Sequence, residues 1–396
     1  MGLGFFISIM IKANYPTDKF RDIQTPFYYY DLDMLRTTLE EINQQAKKTD
    51  FHVHYALKAN VNPSVLAVIK DAGLGADCVS GGEVQAAIDA GISPSKIVFA
   101  GVGKADWEIN LGLENNIFCF NVESVPELEV INELAEAKGK TANVALRINP
   151  NISAHTHHYI TTGLSENKFG INMSDLDYVV DLFPTLPNVK LIGIHFHIGS
   201  QITDLTSFQG LCVRVNELQE YFLSHSVKLA HINVGGGLGI NYEHPNHFPI
   251  PDFQAYFNIF RDHLQLQHNQ TLHFELGRAV VAQCGSLISR VLYIKQGSSK
   301  KFAILDAGFT DLIRPALYQA YHHIENLSSD LAVEPYDVVG PICESADTFA
   351  KGFVMNQTKR GDLIALRSAG AYGEIMASQY NLRKLPKAYT SDELAH

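Results

Sequence analysis

Val53-His54-Tyr55-Ala56-Leu57-Lys58-Ala59-Asn60-Val61-Asn62-Pro63-Ser64 is the stretch from which the fold can be read. The apolar run Val53–Leu57 has the length of a buried strand. Asn62 suits a helix N-cap and Pro63 the first helical position. Strand, lysine and helix start therefore follow one another within a dozen residues. A lysine at such a junction can stand at the mouth of a pocket, lose its proton and attack a carbonyl. Most lysines near strand ends are solvated surface residues, so the surroundings of Lys58 decide.

Working outward, the same rhythm recurs. β-like runs fall at Val53–Leu57, Ala76–Val79, Ile97–Ala100, Ile117–Asn121, Asn143–Ile148, Leu191–His197, His231–Val234 and Leu272–Glu275. Helical stretches such as Pro63–Ala72, Glu83–Ala90, Pro126–Ala137, Leu176–Leu182, Phe208–Leu223 and Phe253–Leu264 separate them. Gly73 and Gly91 stand where helix C-caps belong. Eight strand–helix units in roughly 230 residues is the count and length of a (β/α)8 TIM-like barrel. An open doubly wound sheet is the alternative, with fewer strands and a switch point.

The pattern changes after Arg278. Val280–Cys284, Leu287–Tyr293, Lys301–Leu305, Tyr336–Val339 and Leu363–Leu366 read as strands without regular helices, an all-β barrel or sandwich. Before the barrel, Thr25-Pro26-Phe27-Tyr28-Tyr29-Tyr30 reads as a strand. Asp33–Lys48 follows as an amphipathic helix, apolar at Met34, Leu35, Leu39 and Ile42. Tyr28–Tyr30 has no barrel partner and is expected to pair with the C-terminal part. The expected organisation is an extension over 1–24, a cofactor-binding barrel over 33–278, and a β domain made from 25–32 and 279–396.

The chain has 396 residues, 46% hydrophobic and 18% charged, enough for a large core and more than one domain. Its net charge of −11 and lack of a basic run argue against nucleic acid. Cys78, Cys119, Cys212, Cys284 and Cys343 are scattered with no Cys-x-x-Cys pair, which points to a reduced, cytoplasmic setting. Met1–Ile11 is apolar but lacks the basic start and cleavage site of a signal peptide. It is far short of the ~20 residues that span a bilayer, so no membrane association is expected. Met10 is an alternative start.

Barrel chemistry sits at the C-terminal strand ends, and four polar clusters fall there. Lys58 follows the first strand, His195-Phe196-His197-Ile198-Gly199-Ser200 closes the sixth, Gly235-Gly236-Gly237 the seventh and Glu275-Leu276-Gly277-Arg278 the eighth. A lone glycine triplet is more often a tight turn. After the seventh strand of a barrel, its bare N–H groups suit a phosphate, to which Ser200 and Arg278 can add donors. His195 and His197 share a strand face. They could be half a metal site, but no cluster of ligand spacing supports one, and no metal is expected. His197, nearer the strand end, suits a place against a planar ligand. Glu275 could pair with Arg278 or balance a protonated ring nitrogen. A phosphate cradle, an amine and a carboxylate for a pyridinium together describe pyridoxal 5′-phosphate chemistry.

In the second domain, Gly340-Pro341-Ile342-Cys343-Glu344-Ser345-Ala346-Asp347 sets a thiol beside a carboxylate in a loop. A buried, inert cysteine is the ordinary reading, but Glu344 needs solvent or a partner. Asp306-Ala307-Gly308-Phe309 is followed by Arg314-Pro315-Ala316-Leu317-Tyr318, where an arginine and a tyrosine four apart share a helical face. Surface decoration is one reading and a fork for a substrate carboxylate the other. Gly370-Ala371-Tyr372-Gly373 places a glycine-flanked tyrosine on a loop.

From about Thr25 to Asn381 the chain resembles the diaminopimelate decarboxylases, in the alanine racemase-like fold group of pyridoxal-phosphate enzymes. The motifs that carry this are Tyr55–Asn60, Gly163-Leu164-Ser165-Glu166-Asn167-Lys168-Phe169-Gly170, His197–Gln201, Gly235–Gly237, Glu275–Arg278, Arg314–Tyr318, Cys343–Ser345 and Gly370–Tyr372. His158 in His157-His158-Tyr159-Ile160 stands where the family often has proline, and Ala346 where glycine is common. The resemblance implies that Lys58 holds the cofactor covalently, His197 stacks on its ring and Glu275 keeps the ring nitrogen protonated. It puts Gly235, Gly236, Gly237, Ser200, Gly277, Arg278 and Tyr372 around the cofactor. Arg278, Arg314, Tyr318, Glu344 and Tyr372 are implied to contact the substrate. Cys343 is implied to protonate the carbanion, arriving with Glu344 from the second subunit of a homodimer with shared active sites. The implied reaction, that of a carbon–carbon lyase, converts meso-diaminopimelate to L-lysine and CO2, the last step of lysine biosynthesis. Alternatives are a decarboxylase of the same fold acting on ornithine, arginine or carboxynorspermidine, or a non-catalytic cofactor-binding homologue. Arg314 and Glu344 argue against the simple diamine precursors, and intact Lys58, Cys343 and Glu275 against a loss of activity.

Overall fold

The computed structural model describes residues 15–150 and 168–395. Met1–Ile11, His157–Ile160 and the Gly163–Asn167 part of the glycine-flanked motif lie outside the described residues. After strand β1 (Phe27–Tyr30), eight strands close a barrel: β2 (His52–Ala56), β3 (Gly75–Cys78), β4 (Ile97–Phe99), β5 (Cys119–Val122), β6 (Ala142–Arg147), β7 (Val189–His195), β8 (His231–Asn233) and β9 (Thr271–Leu276). Each pairs in parallel with the next, and β9 closes on β2. The (β/α)8 reading is borne out; the open sheet is excluded.

Local chemistry starts the intervening helices where they are needed. The Asn62 side chain accepts from Ser64 N at 3.1 Å, with Pro63 opening the helix Pro63–Asp71. Ser80, Ser124 and Asp252 cap the helices Gly81–Asp89, Val125–Ala137 and Phe253–His263 in the same way. Such a cap stabilises by about 1 kcal/mol. Val65, Leu66 and Ile69 form the buried face of the first of these helices. Asp106–Asn115 is a further helix, which the sequence reading did not place. No helix among the described residues is long and apolar enough to cross a membrane.

Alternation along the strands puts residues two apart on one face. Cys119 and Asn121, His231 and Asn233, and His273 and Glu275 are such pairs, all buried. Asn121, Asn233 and Glu275 are hydrogen-bonded in one layer, while His54, His231 and His273 meet in another. Both layers are polar.

The compact barrel unit comprises the described part of Thr38–Gly239 with Asp252–Gly277. The other unit comprises 15–37, Ile240–Pro251 and 278–395. Its strands are β1, β10 (Gly285–Gln296), β11 (Lys301–Leu305), β12 (Ile324–Asn326), β13 (Val333–Val339), β14 (Thr348–Asn356), β15 (Leu363–Leu366) and β16 (Lys387–Thr390). The sheet runs β12-β15-β10-β11-β13-β14. β1 pairs antiparallel with β10 and parallel with β16, so the early tyrosine strand does join the C-terminal part. Phe20, Phe27, Tyr29, Ile288, Leu363 and Ala365 form a core cluster there. Two details differ from expectation. Val280–Cys284 is not a strand: Arg278–Val281 is a short helical turn, and β10 starts only at Gly285. A short, wholly buried apolar run satisfies either state, so periodicity could not separate them. Ile240–Pro251, read from sequence as part of 33–278, bonds within the β unit: Asn241 O accepts from Gln283, and Asn246 from Arg367.

Candidate active site

In the barrel unit, β2 ends at Ala56 and Lys58 occupies a single 3-10 turn, Leu57–Ala59. Tyr55 Oη donates to Asn60 O at 2.9 Å, tying the turn back to its own strand. Gly277, just past β9, backs onto it: a Cβ there would lie 3.1 Å from both Ala56 Cβ and Ala59 Cβ. Lys58 Nζ lies 3.5 Å from Asp77 Oδ2 on β3. Asp77 is buried, and neither of its oxygens accepts a hydrogen bond among the described residues. Burial and the charge of Glu275 push its carboxyl up to about 7, against the pull of Lys58.

Glu275 is held from three other strands. Its Oε1 accepts from Asn121 Nδ2 at 3.0 Å and Asn233 Nδ2 at 2.8 Å. Its Oε2 lies 2.9 Å from His195 Nε2. Burial favours the neutral acid, but His195, Lys58 and His197 outweigh it and hold the group well below the usual carboxylate range. An ionised carboxylate cannot donate, so His195 carries its proton on Nε2. From sequence, His195 and His197 were expected together on the sixth barrel strand. That strand, β7, stops at His195, and the two part company. His197 follows, half-buried, and accepts from Gly236 N at Nδ1 over 3.3 Å. Burial, with Lys58 and Arg147 nearby, keeps its ring neutral, far below its ordinary value.

The glycine loop follows β8. Gly235 and Gly237 adopt φ +68° and +108°, which side-chain-bearing residues rarely do. A Cβ on Gly235 would overlap Phe196 O, and one on Gly237 would sit 2.7 Å from Gly199 O. The expected three free N–H groups reduce to fewer. Gly235 N donates to Asn233 Oδ1 and Gly236 N to His197 Nδ1; among the described residues only that of Gly237 has no protein acceptor. Ser200 lies in the bend beyond Gly199 and is half-buried. A separate cavity of about 420 Å3 opens at the opposite strand ends, lined by His52, His54, Lys96, Phe118 and His273, and holds none of these groups.

In the β unit, Arg278 and Arg314 are both buried and both donate through Nη1 to Tyr242 Oη, at 2.6 and 3.0 Å. Tyr372, at φ +57°, lies with its ring 5.0 Å from the Arg278 guanidinium. Arg314 and Tyr318 bound a one-turn helix, Arg314–Tyr318. Cys343 and Glu344 lie apart on an exposed loop, and no hydrogen bond or ion pair among the described residues joins them to the arginines. Asp347 braces that loop, accepting from Phe309 N and Ile342 N at 2.6 and 2.7 Å. Glu344 accepts from Tyr380 Oη at 2.6 Å.

Residues 32–282 match the family described as pyridoxal-dependent decarboxylase, pyridoxal binding domain. The diaminopimelate decarboxylase of Bacteroides thetaiotaomicron is 67% identical over 385 residues, 97% of this chain and 100% of that protein. The chain belongs to the diaminopimelate decarboxylases. The Helicobacter pylori member is 41% identical over 92% of this chain and 89% of that one. The crystal structure of a Helicobacter pylori diaminopimelate decarboxylase complexed with L-lysine matches with a TM-score of 0.89 at 40% identity, covering 95% and 94% of the two chains. A lysine/ornithine decarboxylase from Vibrio vulnificus, at 20% identity and TM-score 0.82, shares the fold. As in this family, the cofactor is pyridoxal phosphate, and the barrel fits it: an ionised buried carboxylate, a strand-end amine and a loop with no room for Cβ atoms stand in one unit. Asp77, Asn121, Asn233, Tyr242 and His322 were not singled out from sequence. Each is one polar residue with no motif around it, and only strand pairing or long-range packing reveals its partner.

Proposed function

We infer that this diaminopimelate decarboxylase converts meso-diaminopimelate to L-lysine and CO2, the last step of lysine biosynthesis. One observation favours this substrate over ornithine or arginine. Arg314 is buried beside Arg278 and pairs with no carboxylate among the described residues. A substrate with a distal carboxylate would complete it, whereas a simple diamine precursor would leave it unmatched.

When bound, pyridoxal phosphate supplies an electron sink for the pair left on Cα as CO2 departs. Lys58 is its covalent anchor, and Asp77 balances the amine's charge. Glu275 holds the proton on the ring nitrogen, and Asn121, Asn233 and His195 keep Glu275 ionised for that task. His197 would lie against the cofactor's ring face. The N–H of Gly237, with Ser200, Gly277 and Arg278, would hold the phosphate, and Gly235 and Gly236 shape the loop for it; Tyr372 would complete the surroundings. Arg278, Arg314, Tyr318 and Tyr372 contact the substrate. Cys343 Sγ returns a proton to Cα as general acid, and Glu344 takes the distal ammonium. Both act from the other copy of a homodimer, in keeping with their exposure on a single chain. The barrel unit, expected from sequence over 33–278 and here without Ile240–Pro251, is the cofactor domain, and the enzyme is cytoplasmic.

The test is CO2 release from meso-diaminopimelate by the cofactor-loaded protein, with lysine identified as product. Release from ornithine, arginine or carboxynorspermidine in its place would overturn the assignment, as would cofactor binding without turnover.

A further inference from the structure

The unusual object outside the barrel is the group around Tyr242. Its hydroxyl accepts from Arg278 Nη1 and Arg314 Nη1 at 2.6 and 3.0 Å. Both guanidinium carbons stand near its ring, at 5.9 and 5.2 Å from the centroid. Two buried like charges thus share one oxygen. Burial raises the phenol's pKa, but the two guanidinium charges and their hydrogen bonds outweigh it and lower the pKa below that of an ordinary tyrosine. By accepting from both guanidinium groups, that oxygen holds the two arginines side by side.

Arg314 is held from a second side. His322 Nδ1 lies 2.9 Å from Arg367 O, which can only accept, so that nitrogen bears the proton. His322 Nε2 is therefore bare and accepts from Arg314 Nη1 at 3.0 Å. Burial and Arg314 push this histidine down to about 3, so it is neutral. Arg367 is itself fixed by Glu325 at 2.8 Å and Asn246 at 3.0 Å. Arg314 Nη1 has both hydrogens spent, on Tyr242 and His322. Its Nε and Nη2 have no acceptor among the described residues. Those two nitrogens form the side-on edge of a guanidinium, the edge that matches a carboxylate bidentately.

We propose that Tyr242 and His322 are positioning residues that pin Arg314 by its far nitrogen and present its Nε/Nη2 edge to the distal carboxylate of the substrate. This rests on the diaminopimelate reading, and it names the parts that make the arginine selective. An arginine free to rotate would still attract anions, but it would lose the preset fork that separates a carboxylate-bearing substrate from one without.

The experiment uses the cofactor-loaded enzyme and Tyr242→Phe, with His322→Gln as a second variant. Two competitive inhibitors are compared: L-lysine, which carries a carboxylate, and cadaverine, the same diamine without one. Tyr242→Phe is expected to raise KM for meso-diaminopimelate and Ki for L-lysine by about tenfold, the worth of one charge-assisted hydrogen bond. Tyr242→Phe also takes the acceptor from Arg278 Nη1, so the control is His322→Gln, which leaves that bond in place: there kcat, Ki for cadaverine and the absorbance of the lysine-bound cofactor should stay within about twofold, and KM for meso-diaminopimelate and Ki for L-lysine are the two quantities that change. His322→Gln should move the same two quantities in the same direction by less. Equal loss of both inhibitors in His322→Gln, or a fall in its kcat with KM unchanged, would mean a general structural role and overturn the proposal. Unchanged L-lysine inhibition in both variants would overturn it as well. Failure of the underlying reading is distinguishable, because the unaltered enzyme would then neither turn over meso-diaminopimelate nor bind L-lysine.

Discussion

Replacing Glu275 by glutamine is the sharpest test of the barrel's chemistry, because three donors converge on its two oxygens. Glutamine has one acceptor oxygen and one NH2. If the oxygen keeps Asn121 and Asn233, the NH2 faces the Nε2–H of His195, donor against donor. The imidazole can move its proton to Nδ1, but that nitrogen is buried without an acceptor among the described residues. Turning the amide over sets its NH2 against two asparagine donors instead. Each route leaves a buried donor unmatched, at about 1–3 kcal/mol. The larger loss is chemical. A neutral amide does not hold a proton on the cofactor's ring nitrogen, and removing one such preorganised charge partner costs about 3–4 kcal/mol of transition-state stabilisation. Glu275→Gln is therefore expected to lower kcat by about 10²–10³-fold. The assay is CO2 release at saturating substrate, normalised to cofactor bound from the absorbance of its lysine adduct. A glutamine variant with full cofactor and kcat within about threefold of the unaltered enzyme would refute the role of Glu275, since the lost charge must show in the rate.

Three further outcomes are expected. Cys343→Ala and Lys58→Ala should each be inactive alone, yet mixing and re-associating them should restore up to about one quarter of full activity, since half the random dimers hold one intact shared site; no recovery excludes site sharing. Asp77 is an acid whose folded value is raised from 3.8 to about 7. Its charge therefore opposes folding increasingly as pH rises through that window, and cofactor-free Asp77→Asn should melt higher at pH 8 than the parent, with little difference at pH 4, while kcat/KM of the cofactor-loaded variant falls; equal melting at both pH values contradicts this. His54 and His231 have folded values of about 4 and about 3 against 6.5. Each is neutral in the fold and takes up its proton on unfolding, so stability is full above 6.5 and is lost as pH falls. Each should remove about 2 kcal/mol between pH 7 and 5, and His231→Leu should flatten the urea-midpoint profile over that range.

What the sequence disclosed and what it concealed divide along a physical line. The eight-unit rhythm was legible because strand, cap and helix are local: Asn62, Pro63 and Ser64 announce a helix wherever they stand. Lys58, Gly235–Gly237 and Glu275 were conspicuous because polar or flexible residues interrupt apolar runs at their C-terminal ends. Asp77 was not, sitting second to last in the short strand Gly75–Cys78 with nothing to mark its facing. Asn121 meets Glu275 across 154 residues of chain, and Tyr242 meets Arg314 across 72. Contacts of that kind follow from closure, not from spacing. The glycine triplet carried the opposite error: its composition announced three donors, and Asn233 and His197 take two of them.

The donors to Glu275 also say why its chemistry and its fold cannot be separated. They come from β5, β7 and β8, while the carboxylate comes from β9. An ionised carboxylate buried this deeply is tolerable only with its hydrogen bonds made, each worth about 1.5–3 kcal/mol to a charged group. A barrel that opens between β8 and β9 loses those bonds, and the acid then takes up a proton; on the role proposed for Glu275, it would no longer leave that proton on the cofactor. The pairs His231↔Thr271, Ile232↔Leu272 and Asn233↔His273 hold that seam, and β8 is only three residues long. Substitutions along it that spare every residue of the site should therefore act first on kcat, through the ionisation of Glu275, and only later on global stability.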